Sequence, residues 1–334
     1  MALPRVLSRR SLLPRSSPAR AVLALTLATA LWGTSFVAAK ALLVDLPPVT
    51  LAFLRFALAL ALLVPAAYLS GHRPLRGGRS ALLGLSGVAL FFLFQNAGLR
   101  HASAADATLI LGGGLPALTA LFGASFLAER PSRRQLAGLA CSLGGVVVVA
   151  LVGGASGAGA HLGSNGLLML AVASGAAYTV LGRQLFGGPG LLAVLAGSTG
   201  YGLLFLAPGV VAELATVGGT WPGAQEILLL LYLGGACSAL AFALWAYSLR
   251  HLTVTQVAVV GNIELPIGVS AAALLLGEGL GRGEVLGGGL VLLGAWLALE
   301  VTGAKTAKTA TEAKEPEVVI RPSPVPVYVP ARAA

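Results

Sequence analysis

The sequence predicts an all-α integral membrane protein with ten transmembrane helices, arranged as two inverted five-helix repeats. Three observations lead there: a scarcity of charge, ten apolar runs of spanning length, and a second half that echoes the first. Of 334 residues, 57% are hydrophobic and only 10% are charged, and the mean hydropathy is +0.88. A soluble domain carries about 25% charged residues, so too little polar surface is available here to cover a globule. The 45 glycines follow no triplet period, which excludes collagen. The dominance of apolar residues excludes a disordered chain.

A helix needs about 20 apolar residues to cross a bilayer core. The first run, 21–44, stops at Pro47-Pro48, and the second, 49–69, at Gly71-His72-Arg73-Pro74. The third, 80–99, ends in Arg100-His101, and the fourth, 103–127, in Glu129-Arg130-Pro131-Ser132. The fifth, 135–152, leads into a glycine-rich linker, after which 165–185 runs to Gly187-Gly188-Pro189. The seventh run is 190–211, and Trp221-Pro222-Gly223 precedes the eighth at 225–248. Runs at 253–276 and 284–301 complete the set. Glycine and proline punctuate each break, and the residue alternation of a membrane β-barrel does not appear. The domain reading is a basic cytoplasmic tail at 1–20 and a first repeat at 21–152. An extracytoplasmic linker at 153–164, a second repeat at 165–301 and a disordered cytoplasmic tail at 302–334 follow.

Orientation follows from lysine and arginine. With a cytoplasmic N-terminus, the inner face receives Arg5, Arg9, Arg10, Arg15 and Arg20, then Arg73, Arg76 and Arg79, then Arg130, Arg133 and Arg134. Arg183, Arg250 and the basic residues of the C-terminal tail also fall inside, against Lys40, Arg100 and Arg282 outside. The expectation is a multi-pass inner-membrane protein with both termini cytoplasmic. The net charge of +10 therefore reads as a topology signal rather than a nucleic-acid surface. Ser8-Arg9-Arg10 resembles a twin-arginine export signal, but the apolar run continues to Val44 without a clear cleavage site. It reads as a retained tail. Cys141 and Cys237 lie inside apolar runs and form neither a disulfide framework nor a metal-ligand pattern.

The halves correspond. Leu99-Arg100-His101 recurs as Leu249-Arg250-His251, with Ser103 matched by Thr253 and Pro116 by Pro266. After a one-residue slip, Glu129 matches Glu278, Gly138 matches Gly287 and Gly145 matches Gly294. An odd number of spans per repeat turns the second copy upside down. Inverted repeats are the construction of many secondary transporters, with the substrate site at mid-membrane between the repeats.

Trp32-Gly33-Thr34-Ser35-Phe36, the in-span Arg55 and the stretch Ala102-Ser103-Ala104-Ala105 resemble an EamA domain. The succession Pro116, Glu129-Arg130, Gly138 and Gly145 fits it too, and the second half repeats it through Pro266, Gly277-Glu278, Gly287 and Gly294. The resemblance covers residues 20–301 and points to the drug/metabolite transporter superfamily. It implies ten helices, cytoplasmic termini and transport of amino acids or other small metabolites, often as proton-coupled export. One departure is local: the ninth run reads Glu264-Leu265-Pro266, where members of the family often have Glu and Pro adjacent.

Helix breaks at matching places are the expected pointer to a substrate cavity. The fourth run offers Gly112, Gly113, Gly114 and Pro116, and the ninth offers Gly261, Asn262 and Pro266. Glu264 falls at the middle of its run, where an ionised carboxylate costs roughly 3 kcal/mol or more. Three roles fit it: proton coupling, direct substrate binding, or a structural hydrogen-bonded acid. Arg55 lies about 9 Å of helix rise inside its run. It either snorkels outward or pairs with Asp45 or Asp106, or it offers a fixed cation to a carboxylate or phosphate. Trp32, Tyr178, Gln95 and Asn96 are further lining candidates, and Lys40 and Asp106 fit an outer gate. Trp245 and Tyr247 read as an interfacial belt. Small residues at Gly138/Ser142 and Gly283/Gly287 allow close helix packing, within the monomer or across a homodimer.

The functional expectation is a proton-coupled exporter of amino acids or other small metabolites working by alternating access. The expected partners are a small-molecule substrate, protons and the lipid bilayer, with no nucleic acid and no cofactor or metal. A channel-like permease or a non-transporting scaffold is the alternative. No phosphate-binding P-loop is present to couple ATP. An enzyme is not expected, because His72, His101, His161 and His251 sit in loops or at run ends without ligand spacing.

Overall fold

A computed structural model of the chain describes residues 18–126, 132–152, 162–186, 190–217, 222–249, 251–252 and 260–312. Among these residues the secondary structure is helical, with no β-strand. In chain order the helices are α1 (Pro18–Leu42), α2 (Pro48–Leu69), α3 (Gly78–Leu99) and α4 (Ala104–Phe126). They continue with α5 (Arg133–Val152), α6 (Leu162–Phe186) and α7 (Leu191–Val217). Helix α8 joins Ala224–Leu231, Tyr232–Leu240 and Ala241–Leu249, and α9 (Glu264–Leu276) and α10 (Arg282–Glu312) complete the order. Helices α1 to α8 are long and apolar enough to cross a bilayer, while α9 is a shorter apolar helix. The stretch 253–259, part of the predicted ninth run, lies outside the described residues, as do Glu129, His161 and most of the two tails.

Helix ends follow the sequence punctuation. Pro48 opens α2, where a missing N–H costs nothing, and Gly277 closes α9 in the left-handed region with φ 67°. Ser132 and Gln135 cap the start of α5 reciprocally: Gln135 N donates to Ser132 Oγ at 3.2 Å, and Ser132 N to Gln135 Oε1 at 2.9 Å. Two helix starts borrow carboxylates from elsewhere. Glu213 accepts the N–H groups of Val49 and Thr50 at 2.9 and 2.7 Å, and Glu278 those of Ala104 and Ala105 at 2.9 and 3.0 Å. Each carboxylate also favours the positive end of the helix dipole.

The packing maps onto itself when the halves are exchanged. Helix α4 packs on α6 as α9 packs on α1, α3 on α6 as α8 on α1, and α3 on α7 as α8 on α2. The equivalent pairs α2–α7, α4–α9 and α5–α10 also touch. The α5–α10 contact is the most extensive, and glycines bring its backbones close. A Cβ on Gly138 would stand 2.7 Å from Gly294 O, and one on Gly145 would stand 2.5 Å from Gly287 O. Because the lower-numbered glycine of α5 meets the higher-numbered glycine of α10, the two helices run antiparallel. The small-residue faces of these helices are thus covered by each other within one chain.

Candidate functional site

The third helix of each repeat carries a wider, π-helical segment, Gly84–Leu90 in α3 and Tyr232–Leu240 in α8. The segments occupy matching positions, Gly84 corresponding to Gly234. Single-turn π segments frequently mark functional sites, since they displace carbonyls from the regular ladder. Here a donor from the first helix of the opposite repeat meets each one. Ser174 Oγ of α6 donates to Ser86 O at 2.7 Å, and Trp32 Nε1 of α1 donates to Cys237 O at 3.0 Å. Glycine brings both segments against a neighbouring backbone: a Cβ on Gly84 would stand 2.5 Å from Ser198 O, and one on Gly234 2.7 Å from Arg55 O. By this contact Arg55 of α2 and Ser198 of α7 are counterparts.

Arg55 is 3% exposed, buried between α2, α3 and α8. Its Nε donates to Ser238 Oγ at 2.8 Å, and Ser238 in turn donates to Leu233 O at 2.9 Å. The guanidinium carbon stands 4.8 Å from the Phe92 ring centre and 5.7 Å from that of Phe56, a cation–π arrangement. Among the described residues no carboxylate pairs with it. Asp45 is exposed, and Asp106 faces Glu284 instead. The sequence expectation of an Arg55 pair with either aspartate is therefore replaced by an uncompensated cation held by a serine and two rings.

Beside Arg55 lies a cavity of about 20 Å³, room for about one water molecule. Phe56 and Phe92 from the first half and Tyr178, Ser198, Ser238 and Phe242 from the second line it. The three groups that Arg55 touches all belong to this wall. Tyr178 hydrogen-bonds Ser198 across it and packs on Gly87 of the α3 π segment. Trp32 reaches the same wall through Phe242, ring centres 5.4 Å apart, and stands 6.3 Å from Trp245. Thr34 and Tyr232 share a 2.6 Å hydrogen bond on the neighbouring face of α1 and α8.

Glu264 opens α9 directly after a two-residue turn at Asn262 and Ile263, with Val260 and Gly261 before it helical. Its backbone carbonyl abuts Gly33, where a Cβ would stand 2.8 Å away. Among the described residues its carboxylate has no hydrogen-bonding partner. Asn262 is half-buried in the turn, and Pro266 sits in the first turn of α9, where proline is tolerated.

Other predicted residues have different surroundings. Helix α4 runs unbroken through Gly112, Gly113, Gly114 and Pro116, contrary to the expected break. Its three glycines receive the side chains of Leu265, Val291 and Val172, respectively. Ser142 Oγ donates to Gly113 O at 3.1 Å, tying α5 to this stretch of α4. Asn96 is buried and donates to Pro48 O at 3.0 Å, tying α3 to the start of α2, while Gln95 is buried beside it. Lys40 donates to the carbonyls of Leu99, Arg100 and Ala102 at 2.8, 3.2 and 2.6 Å, clamping the last turn of α1 to the end of α3. Sequence reasoning missed Ser198, Ser238, Phe56 and Phe92. Small hydroxyls and phenylalanines are ordinary in apolar helices, and only the fold reveals that these converge on Arg55.

A bundle of apolar helices in two pseudo-symmetric halves, with a buried cation and a cavity at their junction, defines a multi-pass membrane transporter built from two repeats. Residues 19–151 and 164–299 each match the EamA-like transporter family. The chain belongs to that family. It is 30% identical over 244 residues to an uncharacterized transporter of Archaeoglobus fulgidus, covering 71% of this chain and 82% of the relative. It is 28% identical to a Salmonella typhimurium protein named "Probable amino-acid metabolite efflux pump", over 85% of this chain and 95% of that one. A "Probable terminal-alkyne amino-acid exporter" of Streptantibioticus cattleyicolor is 29% identical, over 83% and 93%. A solved crystal structure of 24% identity shares the fold, with a TM-score of 0.59 over 85% of this chain and 97% of that chain.

Proposed function

We propose that the chain is a secondary active exporter of amino acids or other small metabolites, coupled to protons and working by alternating access. Arg55 carries this reading. A guanidinium buried away from water is costly unless an anion compensates it, and a substrate carboxylate arriving between the repeats supplies that anion. An amino acid brings such a carboxylate, which agrees with the substrates named for two relatives. Ser238 fixes the guanidinium, Phe92 and Phe56 give it an apolar wall, and Tyr178 and Phe242, the latter backed by Trp32, line the space beside it. Glu264, at the interruption of α9, serves as the proton-coupling group, charged in one state and neutral in the other. Both termini face the cytoplasm across the inner membrane, so the end of the bundle bearing Lys40, Asp106 and Glu278 faces outward.

Counterflow in proteoliposomes tests the reading. The purified protein, loaded with unlabelled amino acids, is expected to drive saturable uptake of labelled ones, and a pH gradient is expected to drive net flux. Glu264→Gln is expected to abolish the pH-gradient-driven flux while leaving counterflow and folding intact. Voltage-driven conductance without saturation would overturn the transporter reading. An unaltered pH dependence in E264Q would overturn the coupling assignment.

A further inference from the structure

A basic recess lies at the end of the bundle opposite Lys40 and Glu278, where α2 turns into α3. Tyr68, Arg73, Pro74 and Arg76 line a cavity of about 360 Å³ there. The connection around it is tied down. Ser70 N, Gly71 N and His72 N donate to Ala66 O, Tyr68 O and Ala67 O at 3.0, 2.9 and 3.0 Å. Leu75 N reaches Ala193 O of α7 at 2.8 Å, and Gly77 N reaches the Tyr201 hydroxyl at 3.3 Å. Gly197 of α7 leaves room for the Leu75 backbone. Gly71 and Gly77, with φ 81° and 104°, bracket the two arginines in conformations that favour glycine. A topology signal needs only charge in a loop, whereas this loop is fixed at both ends and in its middle.

The helices around it leave the charge uncompensated. No acidic residue occurs between Asp45 and Asp106, or between Glu129 and Glu213. Helices α2, α3 and α6 therefore contain no acid, and Glu213 of α7 caps the start of α2 at the opposite end. Arg73, Arg76 and Tyr68 are exposed, and among the described residues they have no hydrogen bond or ion pair. The corresponding connection between α7 and α8, 218–223, has no basic residue, so the fold itself does not call for arginine at this turn.

The recess stands at the level of lipid headgroups. The 22 residues of α2 rise about 33 Å at about 1.5 Å each. A bilayer core is about 30 Å thick, so the last turn of α2 meets the headgroup layer. Tyr68 and Leu69 in that turn are 54% and 90% exposed, an apolar flank for an acyl chain beside a phenol and two guanidiniums. A guanidinium offers phosphate two parallel N–H donors, and the tyrosine hydroxyl adds a third. A soluble phosphate ester could use the same donors but gains nothing from the flank.

We propose that Arg73, Arg76 and Tyr68 form a binding site for the phosphate headgroup of an anionic phospholipid, held against the α2–α3 connection. The site stands apart from Arg55 and Glu264 and depends on neither role proposed for them.

Native mass spectrometry of the full-length protein in detergent, titrated with phosphatidylglycerol, tests this. The wild type is expected to bind it at least about tenfold tighter than phosphatidylcholine of the same chains, from about fivefold per arginine. R73Q and R76Q are each expected to lose about fivefold in affinity, and R73Q/R76Q at least about tenfold. R20Q, which removes an exposed arginine at the same end of the bundle, is expected to bind as the wild type does. All variants are expected to share the wild-type thermal midpoint in lipid-free detergent, and phosphatidylglycerol to raise it in the wild type but not in R73Q/R76Q. Inorganic phosphate and glycerol 3-phosphate are expected neither to raise the midpoint nor to displace the lipid. Equal affinity for the two lipids, wild-type binding in the arginine variants, or the same loss in R20Q would overturn the site. Displacement by either soluble phosphate would assign the arginines to a soluble phosphate ester and overturn the lipid.

Discussion

Arg55 shows how a single side chain defines a site in an apolar bundle. Its charge cannot leave, because guanidinium stays protonated, and its Nε is held by Ser238 at 2.8 Å. The planar fork therefore points with little freedom toward whatever anion enters. Arg55→Lys keeps the charge but loses both the fork and the Ser238 bond. It is expected to raise the KM for counterflow of a carboxylate substrate at least about tenfold, or about 1.4 kcal/mol, with the protein still folded. A wild-type KM in R55K would show that the guanidinium does not hold substrate. The residue was legible in the sequence because charges within apolar runs are rare, and the same rarity flagged Glu264. Asn96 was flagged by its polarity alone and serves the Pro48 carbonyl. A polar side chain in a span has to be satisfied, and backbone does this as well as a ligand.

At the level of helices, glycine does two different things in this chain, and the sequence separates them poorly. Gly261 stands immediately before the turn at Asn262 and Ile263, whereas Gly112, Gly113 and Gly114 lie in unbroken helix and admit Leu265, Val291 and Val172. Both kinds occur near a proline, so composition cannot tell a bend from a packing hole. The π segments of α3 and α8 were not legible either, because a widened turn alters hydrogen bonding without altering the apolar pattern. The repeat itself was legible, since Gly138, Gly145, Gly287 and Gly294 mark contacts that no larger residue fits. Gly145→Ala puts a methyl 2.5 Å from Gly287 O, a backbone atom that cannot rotate away. It is expected to cost about 1–3 kcal/mol, read as a lowered thermal midpoint of the purified protein. Gly144→Ala, which meets nothing within 4 Å, is expected to leave the midpoint unchanged or slightly raised. Equal midpoints for the two variants would remove the special status of the α5–α10 contact.

Across the whole molecule, the pseudo-symmetry constrains which contacts transport can change. If the two access states differ by the halves exchanging conformations, contacts between equivalent helices map onto themselves and persist. Contacts of other kinds come in exchanged pairs, such as α4–α6 with α1–α9, and must change reciprocally. Among the described residues the two counterparts differ, since α4 is continuous through Pro116 while a turn at Asn262 and Ile263 precedes α9. Disulfides separate the two kinds of contact, because Cβ atoms about 3.8 Å apart can be bridged. On the persistent α2–α7 contact, a Cβ at Gly209 stands 3.8 Å from Val49 Cβ. On the exchanged α4–α6 contact, a Cβ at Gly114 stands 3.7 Å from Val172 Cβ. With Cys141 and Cys237 replaced by serine, oxidised V49C/G209C is expected to retain most counterflow. Oxidised G114C/V172C is expected to lose it and to recover on reduction. Block by the first bridge would place the moving surface between α2 and α7. Free transport with the second bridge closed would mean that α4 and α6 move as one body, and that the halves do not exchange conformations.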